Sequence, residues 1–267
     1  MTIADLEPAR LLSAIRSYRL GRNFESLPTC SSTNDEVTAR ARAGAEEGLL
    51  IAADEQTGGR GRRGRAWHSP AGESLYFSLL LRPALPAPQA APVTLLAGAA
   101  LATSLQGLGF SPRLKWPNDV LLDTADGPRK VAGILTEMAS EAGRVRHVVL
   151  GVGINVNSEA FPEDLAERAT SLRLVRGQRV DRGEVLSSFV HAFEPSYDDF
   201  VAHGPSAALA VWTRHAMLGQ PCWADRGGER IEGVAESADE SGALLVRTAS
   251  GEVISVHAGE INWLSSR

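Results

Sequence analysis

The sequence predicts an α+β protein: a mixed-sheet domain followed by a small all-β barrel. Three observations support this. Between residues 74 and 156, strands follow one another without a helix between each pair, which argues against regular βαβ alternation. Residues 181–202 carry an apolar stripe of Val185, Leu186, Phe189, Val190 and Phe193 at helical spacing. From Gly219 the texture changes to short strands separated by turn signals at Arg226-Gly-Gly, Glu240-Ser-Gly and Ser250-Gly. The expected division is a main domain over 1–215, including a short N-terminal helix, and the barrel over 216–267.

The elements follow in order. Residues 5–20 read as a helix with Leu6, Leu11, Leu12 and Ile15 on one side, and Gly21 ends it. Thr33–Ala43 is a second helix, capped by Thr33 or Asn34, with Asp35 and Glu36 suiting its positive end. Gly48–Asp54 is an apolar strand. Ser74–Arg82 is another, with Leu75, Phe77, Leu79 and Leu81 on one face by two-residue alternation. Residues 90–108 read as a buried helix. Residues 114–116 and 120–122 flank a Pro-Asn-Asp corner, and 130–138 and 145–156 are paired strands joined near Gly143. A last helical piece ends near His215. Trp223 and Trp263 are expected in the barrel core.

Composition narrows the function classes. The chain has 267 residues, 43% hydrophobic and 22% charged, with a formal net charge of −5. These values exclude wholesale disorder, a collagen-like chain and a disulfide scaffold. The net charge argues against a general polyanion binder, so any anion site must come from local clustering. The two cysteines, Cys30 and Cys222, form no CxxC pair and read as reduced thiols. The longest apolar stretch, 90–105, is interrupted by Pro92, Thr94, Gly98, Thr103 and Ser104 and is too short and polar to cross a bilayer. With no export signal at the N-terminus, a cytoplasmic protein is expected.

Five segments carry chemistry. Gly58-Gly-Arg-Gly-Arg-Arg-Gly-Arg65 places four arginines within six residues with no acid among them. Glycine lets backbone N–H groups approach an anion, and guanidinium groups supply bidentate donors. Mutual repulsion predicts a loop that is mobile until an anion neutralises it. Gly59-x-Gly61-x-x-Gly64 matches the dinucleotide fingerprint only formally, since a strand rather than a helix follows. Lys115-Trp-Pro-Asn-Asp119 places an amide and a carboxylate at a proline corner, or is a plain surface turn. Lys130 heads the apolar strand Val131-Ala-Gly-Ile-Leu135; it needs an anionic partner if buried, or snorkels to the surface. Gly151-Val-Gly-Ile-Asn-Val-Asn157 puts two glycines in a strand, which marks close approach of a ligand or a bulge. Ser31-Ser-Thr-Asn34 offers hydroxyls and an amide to a polar ligand, or is an ordinary helix cap.

Jointly, in this order and with Gln56 ahead of the arginine loop, these motifs resemble the biotin protein ligase family, from about residue 25 to the end of the chain. The resemblance implies a class II aminoacyl-tRNA synthetase-like, biotin–lipoate ligase-like catalytic domain and an SH3-like barrel. It implies formation of biotinyl-5′-AMP and pyrophosphate from biotin and ATP, then transfer of biotin to a carrier lysine. Ser32, Thr33, Asn34, Gln56, Arg60, Gly61, Arg62, Trp67, Lys130, Gly133, Gly151 and Gly153 match the biotin site. Arg62, Arg63, Arg65, Lys115, Asn118 and Asn155 are the implied ATP contacts. Arg62, Lys130, Lys115 and Asp119 are the implied catalytic group, with Asp119 the candidate base. Mg²⁺ accompanies ATP with few protein ligands, Asn118 and Asp119 being candidates; no resident metal site is expected. An adenosine loop is expected within 158–170.

The implied partner is a biotin carboxyl carrier protein, the acetyl-CoA carboxylase subunit, with the enzyme a monomer or homodimer and no membrane involved. The segment before Ser31 is too short for the winged helix that some members carry, so no operator binding is expected. Three alternatives stay open: a lipoate or other acyl ligase on the same fold, a nucleic-acid-binding protein using the arginine loop, and a catalytically inactive biotin-sensing regulator.

Overall fold

A computed structural model of the chain describes residues 4–15, 17–226, 229–259 and 261–263. Arg16, inside the first expected helix, and Gly227-Gly228, in one of the expected turns, lie outside the described residues.

A mixed sheet organises the main domain. Its strands are β1 (Asn23–Cys30), β2 (Leu49–Gln56), β3 (Leu75–Leu81), β4 (Pro112–Lys115), β5 (Asp119–Thr124), β6 (Gly127–Glu141) and β7 (Arg144–Ile154). They lie in the order β1-β2-β3-β7-β6-β5-β4. Only β1 and β2 are parallel, and α2 (Thr33–Arg42) connects them. The sequence reading missed β1. Its Glu25, Ser26, Pro28 and Thr29 lack an apolar run, which an edge strand tolerates because only one side of its ladder is paired.

The two-residue period then assigns faces. On β3, Leu75, Phe77, Leu79 and Leu81 join the main core. That core is built with α3 (Val93–Gly107) and α6 (Arg182–His203), which pack on each other and on this face. Leu80 points the other way, into a smaller cluster with Val37, Ala41, Leu49, Ile51 and Val149 under α2. β3 is therefore buried on both faces, not one. On the α2 face, the same alternation presents Ser78 of β3, Gly133, Leu135 and Glu137 of β6, and Gly151 and Gly153 of β7.

Several expectations need correction. The first helix is shorter than 5–20: a 3-10 turn at Ala4–Leu6 and α1 (Pro8–Ala14) precede a turn closed by Gly21 at φ +77°. A buried ion network, not helix continuity, fixes this region. Arg182, 3% exposed, pairs with Asp5 and Asp54 at 2.6 Å each. The buried Glu194 accepts from the backbone N–H groups of Tyr18, Arg19 and Leu20. The stretch Ala87–Gly107 is long and apolar enough to cross a membrane by length and composition, contrary to the sequence reading. It is nonetheless mostly buried as the central core helix.

Beyond α7 (Ser206–His215), β8 (Pro221–Arg226), β9 (Glu229–Ala238), β10 (Leu244–Arg247), β11 (Val253–Val256) and β12 (Ile261–Trp263) form an antiparallel sheet in the order β11-β10-β9-β8-β12. Cys222, Ala224, Val246, Val256 and Ile261 fill its interior and merge with the main core. Trp223 is only partly buried, because strand alternation on β8 gives the inward positions to Cys222 and Ala224, while Trp263, on the same face of β12 as Ile261, is partly buried and packs against the core. Arg230 covers the Trp223 ring at 4.7 Å, and Trp263 lines a cavity instead.

Candidate functional site

The α2 face of the sheet opens into a cavity of about 490 Å³. Its walls are the start of α2, the arginine loop, the β4–β5 corner, β6, β7, the segment around 161–169 and β12. Every residue assigned to a ligand by resemblance lines it, except Arg63.

One end of the cavity is a fixed polar network. Ser32 occupies the cap position of α2 but its side chain makes no capping bond, and Thr33 and Asn34 turn inward rather than capping. The Thr33 N–H donates to Gln56 Oε1 at 2.8 Å, with Thr33 Oγ1 3.1 Å from the same oxygen. Gln56 Nε2 donates to Ser69 Oγ at 3.2 Å. Ser78 Oγ lies 2.8 Å from Thr33 Oγ1 and donates to Asn34 Oδ1 at 2.6 Å.

The glycines explain themselves here. A Cβ on Gly151 would sit 2.1 Å from Asn34 Oδ1, and one on Gly153 would sit 2.5 Å from Trp67 Nε1. Gly133 faces Gly153 across β6 and β7, and its Cβ would meet Trp67 Cζ3 at 3.0 Å. Close approach is therefore real, but the approaching groups are the protein's own Asn34 and Trp67. The Trp67 Nε1–H is buried without a hydrogen-bond partner.

The other end is cationic. Lys130 Nζ lies 2.5 Å from Asp119 Oδ1 and 5.2 Å from the Trp67 ring centre. Lys115 and Arg65 line the same space. Arg62 donates to the Gly259 carbonyl at 3.2 Å and reaches Asn118 Oδ1 at 3.5 Å, so it joins the loop to the corner and the small domain. Asn118 is itself held by β6, accepting from Ile134 N–H through its backbone carbonyl and donating through Nδ2 to Ile134 O.

The arginine loop is not the self-repelling segment its local sequence suggested. Arg60 makes a bidentate pair with Asp35 at 2.7 and 2.8 Å and reaches Glu137 at 3.4 Å. Arg63 turns out of the cavity toward Asp225, 3.4 Å away, which departs from its expected place at the ATP phosphates. Arg63 and Gly64 both take left-handed backbone angles (φ +56° and +71°) and form the loop tip.

Sequence reasoning missed several wall residues. Phe161, Leu165 and Arg168 come from the segment expected to hold adenosine, and Met217, Asn262 and Trp263 come from the small domain. The signal that places the first group was present in Asn155 and Asn157. Asn155 Nδ2 donates to Thr170 O, and Asn157 exchanges two bonds with Val180, which folds the intervening segment back over β6. Asn155 is 6% exposed at the cavity wall.

Comparison with known proteins agrees with this geometry. Residues 27–155 match the Biotin/lipoate A/B protein ligase family, and residues 217–262 match the Biotin protein ligase C terminal domain. The chain is 35% identical over 243 residues to the biotin–[acetyl-CoA-carboxylase] ligase of Paracoccus denitrificans, covering 88% of this chain and 98% of that protein. It is 35% identical over 250 residues to the bifunctional ligase/repressor BirA of Bacillus subtilis, covering 92% of this chain and 76% of that protein. The biotin protein ligase of Aquifex aeolicus in complex with biotin and ATP superposes with a TM-score of 0.78 at 29% identity, over 92% of this chain and all of that one. With both domain types matched and relatives this similar over most of their length, the chain belongs to the biotin protein ligase family.

Proposed function

We propose that this chain is an ATP-dependent biotin protein ligase that joins biotin to AMP and then transfers it to a lysine of a biotin carboxyl carrier protein. One observation carries the reading: five separate motifs converge on a single cavity that is polar and neutral at one end and cationic at the other. A ureido head suits the Thr33–Gln56–Ser78–Asn34 end. A carboxylate and a triphosphate suit the Lys130, Arg62 and Lys115 end.

In the first step the biotin carboxylate oxygen attacks the α-phosphorus of ATP, and pyrophosphate leaves. Two anions must meet, and Lys130, Arg62 and Lys115 offset their repulsion and stabilise charge on the phosphoryl oxygens. Because the carboxylate is already a nucleophile, positioning supplies much of the rate. The Asp119–Lys130 pair holds the lysine ready at the cavity, and the incoming anion takes Asp119's place as its counter-ion. Asn118 and Asp119 would be the groups to hold a Mg²⁺ ion bound with ATP, which would neutralise phosphate charge. Asn155 and the 161–169 wall are assigned to the adenosine.

In the second step a neutral carrier amine attacks the acyl carbonyl, and AMP leaves. The amine must first lose a proton from a group with a reference pKa of about 10.4; Asp119, freed from Lys130, is the assigned base. Arg63 is assigned to the triphosphate only after it leaves Asp225. The reading places the enzyme in the cytoplasm, as a monomer or homodimer.

ATP–pyrophosphate exchange with biotin, with lipoate and with no acid tests the proposal. Exchange with biotin alone supports it. Exchange with lipoate instead overturns the substrate, and no exchange from folded protein overturns the activity.

A further inference from the structure

Glu137 does not line the cavity, yet it touches two residues that do. It lies on β6 two positions beyond Leu135, on the α2 face, opposite Val149. Its Oε2 accepts from Asn34 Nδ2 at 2.6 Å, and both its oxygens stand 3.4 Å from Arg60 NH2. Asn34 is 3% exposed, so its amide must be satisfied within the protein. Because a carboxylate only accepts, Asn34 turns its NH₂ toward Glu137 and its Oδ1 toward Ser78. Asn34 Oδ1 also only accepts, so the Ser78 hydroxyl hydrogen is committed to it. Thr33 Oγ1, next in line, then keeps its own hydrogen to give to Ser78 or Gln56. The Leu135 carbonyl, a longer acceptor for the same Nδ2 at 3.4 Å, supports this orientation, and the shorter, charged contact to the carboxylate behind the wall is the stronger hold on the donor and acceptor pattern at the polar end of the cavity. Through Arg60, with Asp35 on its other side, the same carboxylate also anchors the start of the arginine loop over that end.

We propose that Glu137 is a positioning residue for the polar head of the ligand, coupling Asn34 to Arg60. The inference rests on the biotin ligase reading and deepens it. It follows from the register: Ser78 and Leu135 both flank Gly151, whose missing side chain seats Asn34 between β3 and β6, one strand position from Glu137.

The test is biotin-dependent ATP–pyrophosphate exchange in wild type, Glu137→Ala and Glu137→Gln, with KM for biotin, KM for ATP and kcat measured separately. Loss of a charge-assisted hydrogen bond predicts a biotin KM raised roughly tenfold in Glu137→Ala, with ATP KM and kcat within about twofold. Glu137→Gln keeps an acceptor oxygen for Asn34 but no charge for Arg60, so its biotin KM falls between the two. It also carries the test if the alanine variant does not fold. A biotin KM unchanged in both variants beside an active wild type overturns this proposal alone. So does a joint fall in kcat and rise in both KM values with a lowered Tm, the signature of a merely structural residue. A wild type without biotin-dependent exchange overturns the functional reading and this proposal with it.

Discussion

Gly151 shows how one residue can combine packing and recognition. Its backbone is paired on both sides, with Ser78 of β3 and Leu135 of β6. A methyl group there meets Asn34 Oδ1 at 2.1 Å, so Asn34 must leave its place. Gly151→Ala is expected to cost about 1–3 kcal/mol, as overpacking does, and to raise the biotin KM. Denaturant titration and exchange kinetics check this, and an unchanged value of both contradicts it. Arg62 is the loop residue tied to both Asn118 and the Gly259 carbonyl. Arg62→Gly releases both ties, exposes the mixed anhydride to water and nucleophiles, and is expected to leak biotinyl-adenylate. Promiscuous labelling of bystander proteins is the readout; retention of the adenylate as in wild type contradicts it. Cys30 and Cys222 are free and buried. Burial, with Glu36 and Asp35 nearby, pushes the Cys30 thiol up to about 11. Native Cys30 should therefore resist alkylation at pH 7.5 and react once the protein is denatured, as mass spectrometry can follow.

At the scale of elements, the N-terminal segment is held by charges rather than by its own short helix. Arg182, 3% exposed, sits at the start of α6 between Asp5 and Asp54. Removing it leaves two carboxylates facing each other without their cation, so Arg182→Ala is expected to cost about 3–5 kcal/mol. Burial alone would raise the Asp5 pKa, but the Arg182 hydrogen bonds and charge outweigh it and hold Asp5 below the usual aspartate range. A depressed carboxylate contributes stability that is present above its unfolded pKa of about 3.9 and is lost as pH falls through the folded value. Asp5→Asn should therefore lower stability at neutral pH and flatten the acid limb below about pH 4. Parallel acid titrations of wild type and variant check the sign.

The whole molecule behaves as one packed unit across its two sheets. Trp116 Nε1 donates to Gly242 O at 3.0 Å, Met217 N–H donates to Leu114 O, and the interior of the small sheet is continuous with the main core. Calorimetry is therefore expected to show a single cooperative transition, and two separated transitions would contradict it. The same closeness completes the site: Met217, Asn262 and Trp263 reach the cavity only because the small domain folds onto the β4–β5 corner.

The sequence by itself determined the α+β class, one apolar face of β3, the pairing of β6 with β7, and the motifs that belong together. Local chemistry is enough for these, because alternation, glycine placement and basic clusters are written within a few residues of each other. It did not reveal β1, whose pairing with β2 depends on the α2 crossover rather than on its own polar sequence. Nor did it reveal what offsets the arginine loop. Asp35, Glu137 and Asp225 lie far from it along the chain, and only the folded sheet and the small domain bring them within 3.4 Å or less. Gly151 and Gly153 announced a close approach, but only tertiary structure decided that Asn34 and Trp67 are the groups that make it. Backbone preference is local and can be read from neighbouring residues. Charge partners and steric neighbours are set by strand order, which no local stretch of sequence encodes.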